Sequence, residues 1–303
     1  MPVEEYAAAL RARLPDHDIA VARTPSEERE LIEHAPVVTG GVIDEELLDA
    51  AENLELFACV YAGYNHLPLE KLAARDIAVT TASGVHGPNI GEHVVGSMLA
   101  LARSFPEGWR RQQTREWRHY ETRELKGSTV TIVGLGAIGT AVTERLQGFD
   151  VTTLGVRYSP EKGGPTDEVV GFDDLHEALA RTDYLVLACP LTEETRGLIG
   201  REAFATLPPE AVLVNVARGP VVDTDAMVRA IRLGKLRGAA LDVTDPEPLP
   251  ADHPLWGFSN VIISPHNAGH TPAYYERLGD IVARNLQTVA ETGRYETLEN
   301  QVR

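Results

Sequence analysis

Thr129-Val-Thr-Ile-Val-Gly-Leu-Gly-Ala-Ile-Gly139 is the stretch whose spacing sets the fold. Thr129–Val133 is β-branched throughout, a composition that suits a pleated strand. Glycines follow at 134, 136 and 139, and Thr140–Gln147 then has helical character. In a strand–turn–helix unit of this kind each glycine has its own task. The first permits the tight turn, the second lets a pyrophosphate approach the backbone, and the third lets helix pack on strand. The helix N-terminus then presents free N–H groups to the phosphate. Val151–Val156 supplies the next strand, so Gly134, Gly136, Ala137, Ile138 and Gly139 are candidate dinucleotide contacts. The bland alternative is a glycine turn that holds no ligand.

Further apolar runs lie downstream at Tyr184–Ala188, Val212–Val216, Ala239–Val243 and Val261–Ser264, with helical patterns between them. Continuous apolar runs read as parallel strands buried on both faces. Residues 92–270 are therefore expected to form a doubly wound parallel sheet of the Rossmann kind. Upstream, Ile19–Ala22, Val37–Thr39, Leu56–Tyr61 and Ala78–Thr80 read as strands. Glu27–Glu33, Glu45–Ala51 and Leu69–Ala74 read as the helices between them. They predict a second, smaller parallel domain of flavodoxin-like α/β type. Asn89–Arg103 reads as a helix leaving that domain, and Thr271–Arg303 as a helix returning to it. The expected division is 1–91 with 271–303 against 92–270, joined twice, with a cleft between.

Three ionisable residues stand just past three of the predicted strands. They are Arg218 in Asn215-Val-Ala-Arg-Gly219, Glu247 in Asp245-Pro-Glu-Pro248 and His266 in Ser264-Pro-His-Asn-Ala-Gly269. Side chains at such positions collect in the crevice where open α/β sheets bind ligands. A cation, an acid and an imidazole there could hold a carboxylate-bearing substrate and move a proton. A lone histidine after a strand is more often structural, but three ionisable groups at successive strand ends are harder to explain that way.

Together these residues resemble the D-isomer-specific 2-hydroxyacid dehydrogenase family, which includes glyoxylate/hydroxypyruvate reductases and phosphoglycerate dehydrogenases. Further matching segments are Ala62-Gly-Tyr-Asn65, Gly91-Glu-His93 with Leu99–Arg103, Pro190-Leu-Thr192 with Thr195–Leu198, Gly219–Asp223 and Asp242-Val243. The resemblance implies Arg218 as the substrate-binding arginine, His266 as acid/base and Glu247 as its acid partner. It implies substrate-carboxylate binding by backbone around Ala62, Gly63 and Tyr64, and a contact of Asp242 with the nicotinamide carboxamide. Cys189, Pro190, Thr195, Val216, Ala217, His266 and Gly269 complete the implied cofactor contacts. In the family, the arginine-rich Phe105–Arg123 stretch carries homodimer contacts through the cofactor domain; the alternative is a solvent-facing helix. No metal is expected.

NAD-binding folds usually carry an acid about 20 residues past the glycines, where it binds the ribose 2′-hydroxyl. In the family pattern that position is eighteen residues after the last glycine, and counting from Gly139 gives Arg157. A guanidinium can bind a 2′-phosphate that an aspartate would repel. Tyr158 and Ser159 add hydroxyls, so NADP(H) is the expected cofactor, with NAD(H) the alternative.

The expected reaction is hydride exchange between NADP(H) and a 2-keto/2-hydroxy acid, with His266 donating the proton. Alternatives are a phosphoglycerate dehydrogenase or a glyoxylate/hydroxypyruvate reductase using NAD(H), a formate or phosphonate dehydrogenase, and a non-catalytic, cofactor-sensing co-repressor-like protein. His86, His93 and His270 read as structural or bystanders. Cys59 and Cys189 lie within apolar runs and read as buried thiols of a reducing compartment. No apolar stretch is long enough to span a bilayer, and Met1–Tyr6 lacks the features of a signal peptide, so a cytoplasmic location is expected.

The 303 residues carry 45 acidic against 28 basic side chains, a formal net charge of −17, and the lysines are only Lys71, Lys126, Lys162 and Lys235. Such a surface disfavours nucleic acid and anionic membrane as partners. Codon bias in a GC-rich genome would account for the few lysines but not for the acid excess, so a halophilic protein is expected. Acids also cluster at Glu27-Glu28, Asp44-Glu45-Glu46 and Asp173-Asp174. Salt at ~1 M contracts the Debye length to roughly 3 Å and screens their mutual repulsion. The melting temperature is therefore expected to rise from dilute buffer to ~1 M KCl. A flat or falling melting temperature would mark an ordinary acidic protein.

Overall fold

Two parallel sheets organise the computed structural model, which describes residues 3–302. Met1, Pro2 and Arg303, included in the expected terminal segments, lie outside the described residues. The chain divides into two units, one running to His86 and resuming at Thr271, the other spanning Gly87–His270.

The first unit contains α1 (Val3–Arg13), α2 (Pro25–Ile32), β1 (Val37–Gly40), α3 (Glu45–Ala50), β2 (Leu56–Cys59), α4 (Leu69–Ala74) and β3 (Ala78–Thr80). Local signals start its helices. Thr24 caps α2 by accepting from the Glu27 amide at 3.2 Å, with Pro25 in the first turn, and Asp44 caps α3 by accepting from Leu47 at 2.9 Å. The strands pair in parallel in the order β1-β2-β3. Their side chains alternate between two cores. Phe57, Cys59 and Val79 pack with Ile32, Leu48 and Leu72 of α2, α3 and α4. Ala58 and Val60 pack with Tyr6 and Leu10 of α1 and with Leu278, Ile281 and Val282 of the returning helix.

The sequence misplaced several features here. Among them is the returning helix, read over Thr271–Arg303 but present only from Tyr274 to Thr292, where Gly293 in the left-handed region ends it. Ile19–Ala22 forms no strand. It follows α1 without regular structure or a strand partner, and Ile19 packs half-buried on the α1 core. Helix α1 itself had no strong sequence pattern. The unit boundary also falls after His86 rather than at 91, because the next helix buries Ile90, Val94 and Met98 in the second unit's core.

The second unit contains α5 (Gly87–Ala102), α6 (Phe105–Gln113), β4 (Thr129–Val133), α7 (Ala137–Leu146), β5 (Thr152–Val156), β6 (Glu168–Val170), α8 (Leu175–Ala180), β7 (Tyr184–Leu187), α9 (Arg201–Thr206), β8 (Val212–Asn215), α10 (Thr224–Arg232), β9 (Gly238–Leu241) and β10 (Val261–Ile263). Helix α11 (Tyr274–Thr292) then belongs to the first unit.

Seven parallel strands lie in the order β10-β9-β8-β7-β4-β5-β6. The order turns back between β4 and β7, and the carboxyl ends at such a switch point open a ligand crevice. Val130, Ile132, Val186 and Val214 face α5 and α7. Val133, Leu154, Leu187, Leu213 and Leu241 face α8, α9 and α10. Outside these layers, Trp109 and Trp117 are exposed, the latter fully. Among the described residues, no helix is long and apolar enough to cross a membrane.

Candidate active site

Arg218, Glu247 and His266 follow β8, β9 and β10, three neighbours in sheet order. The structure pairs two of them. Glu247 Oε2 and His266 Nδ1 lie 2.9 Å apart with about half of each side chain exposed. A carboxylate has no hydrogen to give, so Nδ1 donates and Nε2 is left for another partner. The Thr244 amide donates to the other Glu247 oxygen at 3.1 Å, so both oxygens are oriented.

Arg218 is exposed, and its Nη1 donates to the Ala217 carbonyl at 2.6 Å. Among the described residues it has no bond to Glu247 or His266. Its backbone is set by Asn215, which accepts from the Ala217 amide at 3.0 Å and donates to the Arg218 carbonyl at 3.2 Å. Gly219 lets this turn touch the start of the Glu247 turn, since a Cβ there would lie 1.9 Å from the Thr244 oxygen.

Asp242 is nearly fully buried at the end of β9. One carboxylate oxygen accepts from Ser264 Oγ at 2.6 Å and from the Asn267 amide at 2.8 Å; the other accepts from the Ala268 amide at 3.0 Å. The His266 amide lies 2.8 Å from the Asp242 carbonyl. Together these bonds hold His266 at φ +51, a conformation that costs a non-glycine residue roughly 1–2 kcal/mol. With about four acceptor positions on a carboxylate, Asp242 keeps about one for any further donor.

The glycine loop shows why side chains are excluded there. Gly134 has φ +98, and a Cβ would lie 2.7 Å from Cys189 backbone. At Gly139 a Cβ would lie 2.0 Å from the Gly134 oxygen, whereas at Gly136 it would meet nothing. Gly136 is the N-cap of α7, and Ala137 and Ile138 form its first turn. The open backbone at a helix N-terminus fits a pyrophosphate.

Cys189 follows β7, and burial pushes its thiol up to about 11. Thr195 is buried and closes the adjacent turn, donating to the Pro190 carbonyl at 2.7 Å and accepting from the Thr192 amide at 2.8 Å. Val216 and Ala217 are buried after β8, and Gly269 lies half-buried beyond the His266 turn. Arg157 stands at the end of β5, half-buried, with Nη1 donating to Gly163 O at 2.5 Å. Tyr158 beside it is exposed and Ser159 half-buried. On the first unit, Ala62, Gly63 and Tyr64 form an exposed loop after β2, and a Cβ at Gly63 would meet nothing within 4 Å. Among the described residues, no group of three His, Cys, Asp or Glu side chains could hold a metal.

Sequence reasoning missed the residues that orient this site: Ser264, Asn215 and Thr244. Each has a polar side chain or amide beside a strand end, a signal too common to single out without the contacts.

Residues 95–268 match the model of the "D-isomer specific 2-hydroxyacid dehydrogenase, NAD binding domain". The chain is 40% identical to a glyoxylate reductase of Thermofilum pendens over 82% of this chain and 75% of that one. It is 33% identical to a D-3-phosphoglycerate dehydrogenase of Methanocaldococcus jannaschii over 99% of this chain but 58% of that longer one. A solved D-isomer specific 2-hydroxyacid dehydrogenase from Xanthobacter autotrophicus Py2, in complex with NADPH and MES, superposes with TM-score 0.77 at 28% identity, covering 100% of this chain and 96% of that one. The chain belongs to the D-isomer specific 2-hydroxyacid dehydrogenase family. It is an oxidoreductase with an NAD(P)-binding domain.

Asp242→Asn places an NH₂ group against at least one of the three donors. The variant should lose about 1–3 kcal/mol of unfolding free energy, the usual cost of a buried polar group left unsatisfied. Urea denaturation measures this, and unchanged stability would show that the three bonds do not hold the turn.

Proposed function

We propose that the chain is a D-2-hydroxyacid dehydrogenase that works as a 2-keto acid reductase with NADP(H) and uses His266 as acid/base. The observation that carries the proposal is the Glu247–His266 pair, 2.9 Å apart at the ends of adjacent strands. When bound, the nicotinamide supplies the two electrons and the hydrogen that reduce the carbonyl carbon. The glycine loop holds the pyrophosphate. Arg218 uses one of its five N–H donors on Ala217, and the others are free to hold a carboxylate and the 2-oxo oxygen.

His266 then does the proton chemistry. With Nδ1–H directed to Glu247, the proton on Nε2 of the imidazolium passes to the oxygen as the carbonyl is reduced, and Nε2 recovers it from solvent. The Glu247 carboxylate, by accepting from Nδ1, fixes the orientation of the ring and leaves Nε2 facing the substrate side. This division of labour matches what acid–base catalysis needs, a proton donor held in place by a second group.

Arg157 supports NADP(H). It occupies the strand-end position where NAD-binding folds place an acid, and no acid stands next to it in the sequence. The NADPH held by the Xanthobacter relative is consistent with that preference. A homodimer through the cofactor-binding unit is supported by Phe105 and Trp109, both exposed and with ring centroids 6.2 Å apart, because aromatic side chains are enriched at interfaces. Glyoxylate is the first substrate to try, because a relative is named a glyoxylate reductase, and hydroxypyruvate, another small 2-keto acid, is the next.

Two substitutions test the proposal. His266→Gln should lower kcat for keto-acid reduction by ~10²–10⁴-fold, the usual contribution of a positioned proton donor, while NADPH still binds with near wild-type affinity by fluorescence titration. Near-normal turnover would remove His266 from the chemistry. Arg157→Asp should shift the ratio of kcat/KM for NADPH over NADH by at least about tenfold toward NADH, as expected when a phosphate-binding cation becomes a phosphate-repelling acid. An unchanged ratio would mean that another residue selects the cofactor.

A further inference from the structure

Helix α5 meets the His266 turn with two polar side chains, and neither belongs to the site as described above. His93 Nε2 lies 3.3 Å from Ser264 Oγ, and Asn89 Nδ2 donates to the Ala268 carbonyl at 2.7 Å. The two residues are four apart, so they share one face of the helix. Their partners, 264 and 268, bracket His266 on either side.

The hydrogens in this network can be placed by counting. Ser264 has one hydroxyl hydrogen, and the buried Asp242 carboxylate, which can only accept, takes it at 2.6 Å. The 3.3 Å contact to His93 therefore requires Nε2 to be the donor and the Ser264 oxygen the acceptor. The result is a directed chain from His93 Nε2–H to Ser264 Oγ–H to Asp242 Oδ1. Asp242 in turn accepts from the amides of Asn267 and Ala268. His93 Nε2 is itself 4.0 Å from Asp242 Oδ1, so the serine bridges the two.

We propose that His93 is a positioning residue: its Nε2–H fixes the Ser264 hydroxyl, which fixes the Asp242 carboxylate, which holds the 264–268 turn with His266 at its positive φ. This proposal rests on His266 as the proton donor. Packing alone does not call for an imidazole here. The His93 side chain is 27% exposed, and an apolar residue would fill the same space without a donor.

The brace is itself held firmly. A Cβ at Gly87 would lie 3.1 Å from the Ala141 Cβ, and one at Gly91 would lie 2.7 Å from the Arg145 Cδ, so the two glycines let α5 lie directly on α7. One face of α5 thus contacts the helix that begins at the glycine loop, while another grips the His266 turn. Without the His93 donor, the Ser264 hydroxyl gains freedom to rotate and Asp242 loses a fixed partner. The ring of His266 then wanders. Displacements of about 1 Å at a reacting group can cost on the order of 10²-fold in rate.

His93→Leu and His93→Gln in the full chain test this, because the glutamine amide offers an N–H at nearly the reach of imidazole Nε2. The leucine variant should lose about ten- to a hundredfold in kcat with the keto acid, with KM and the NADPH Kd within about threefold of wild type. The glutamine variant should recover most of that loss. In the protein without cofactor, hydrogen exchange across residues 264–270 should quicken in the leucine variant and return toward wild type with glutamine. Should the leucine variant fold poorly, Ser264→Ala breaks the same chain with little change in volume. The double variant His93→Gln/Ser264→Ala should then be no slower than Ser264→Ala alone, as expected for two members of one path. Wild-type kcat in the leucine variant, or leucine and glutamine equally impaired, overturns the proposal. If His266→Gln keeps its turnover, the assignment of His266 fails separately, and the exchange measurement still decides whether His93 holds the turn.

Discussion

The carboxylate of Asp242 is the constraint on which the site depends. It is buried at the end of β9, where an unsatisfied charge would be costly, and three donors satisfy it. All three come from the segment that follows β10. To reach the carboxylate, that segment must fold back over the strand ends, and His266 is carried into a left-handed conformation as it does so. The strain at His266 and the bonds to Asp242 are two sides of one arrangement. Each donor ties the turn more firmly, and the turn can hold His266 beside Glu247 only while they are in place.

Glycine does the corresponding work where chains must come closest. Gly139 lies against the Gly134 carbonyl and Gly219 against the Thr244 carbonyl, both nearer than any side chain allows. The first contact brings the N-terminus of α7 up to the end of β4, where a pyrophosphate would lie. The second brings the Arg218 turn against the turn that carries Glu247. Two close approaches of backbone to backbone thus shape the cofactor cradle and align the strand-end loops.

Much of this was legible in the sequence. The Thr129–Gly139 run marks its own strand, turn and helix through β-branched residues and glycine spacing. The strand ends that carry Arg218, Glu247 and His266 follow from the apolar runs before them, whereas the choice of Glu247 over Asp242 as the partner of His266 came from the family resemblance; the two side chains lie 2.9 Å apart. What was not legible depends on tertiary contact. Ile19–Ala22 looks like a strand by composition, but it finds no neighbour to pair with. The edge strand Glu168–Val170 begins on an exposed glutamate and has no fully buried position, so no apolar run marks it. The bond from the Arg218 guanidinium to its own Ala217 carbonyl is a choice that spacing cannot show. Ser264 and His93 are 171 residues apart, and nothing in either neighbourhood names the other.

A family of oxidoreductases, a glycine cradle and an imidazole fixed by a carboxylate converge on reduction of a 2-keto acid. The rival is a protein that binds the dinucleotide and senses it without turning it over. The measurement that separates them most directly follows NADPH oxidation by the purified full chain at molar KCl, with and without a panel of small 2-keto acids that includes glyoxylate and hydroxypyruvate. Oxidation that saturates with at least one keto acid, and is faster with NADPH than with NADH, is the expected result. NADPH that binds but is not oxidised in the presence of any keto acid would contradict the account.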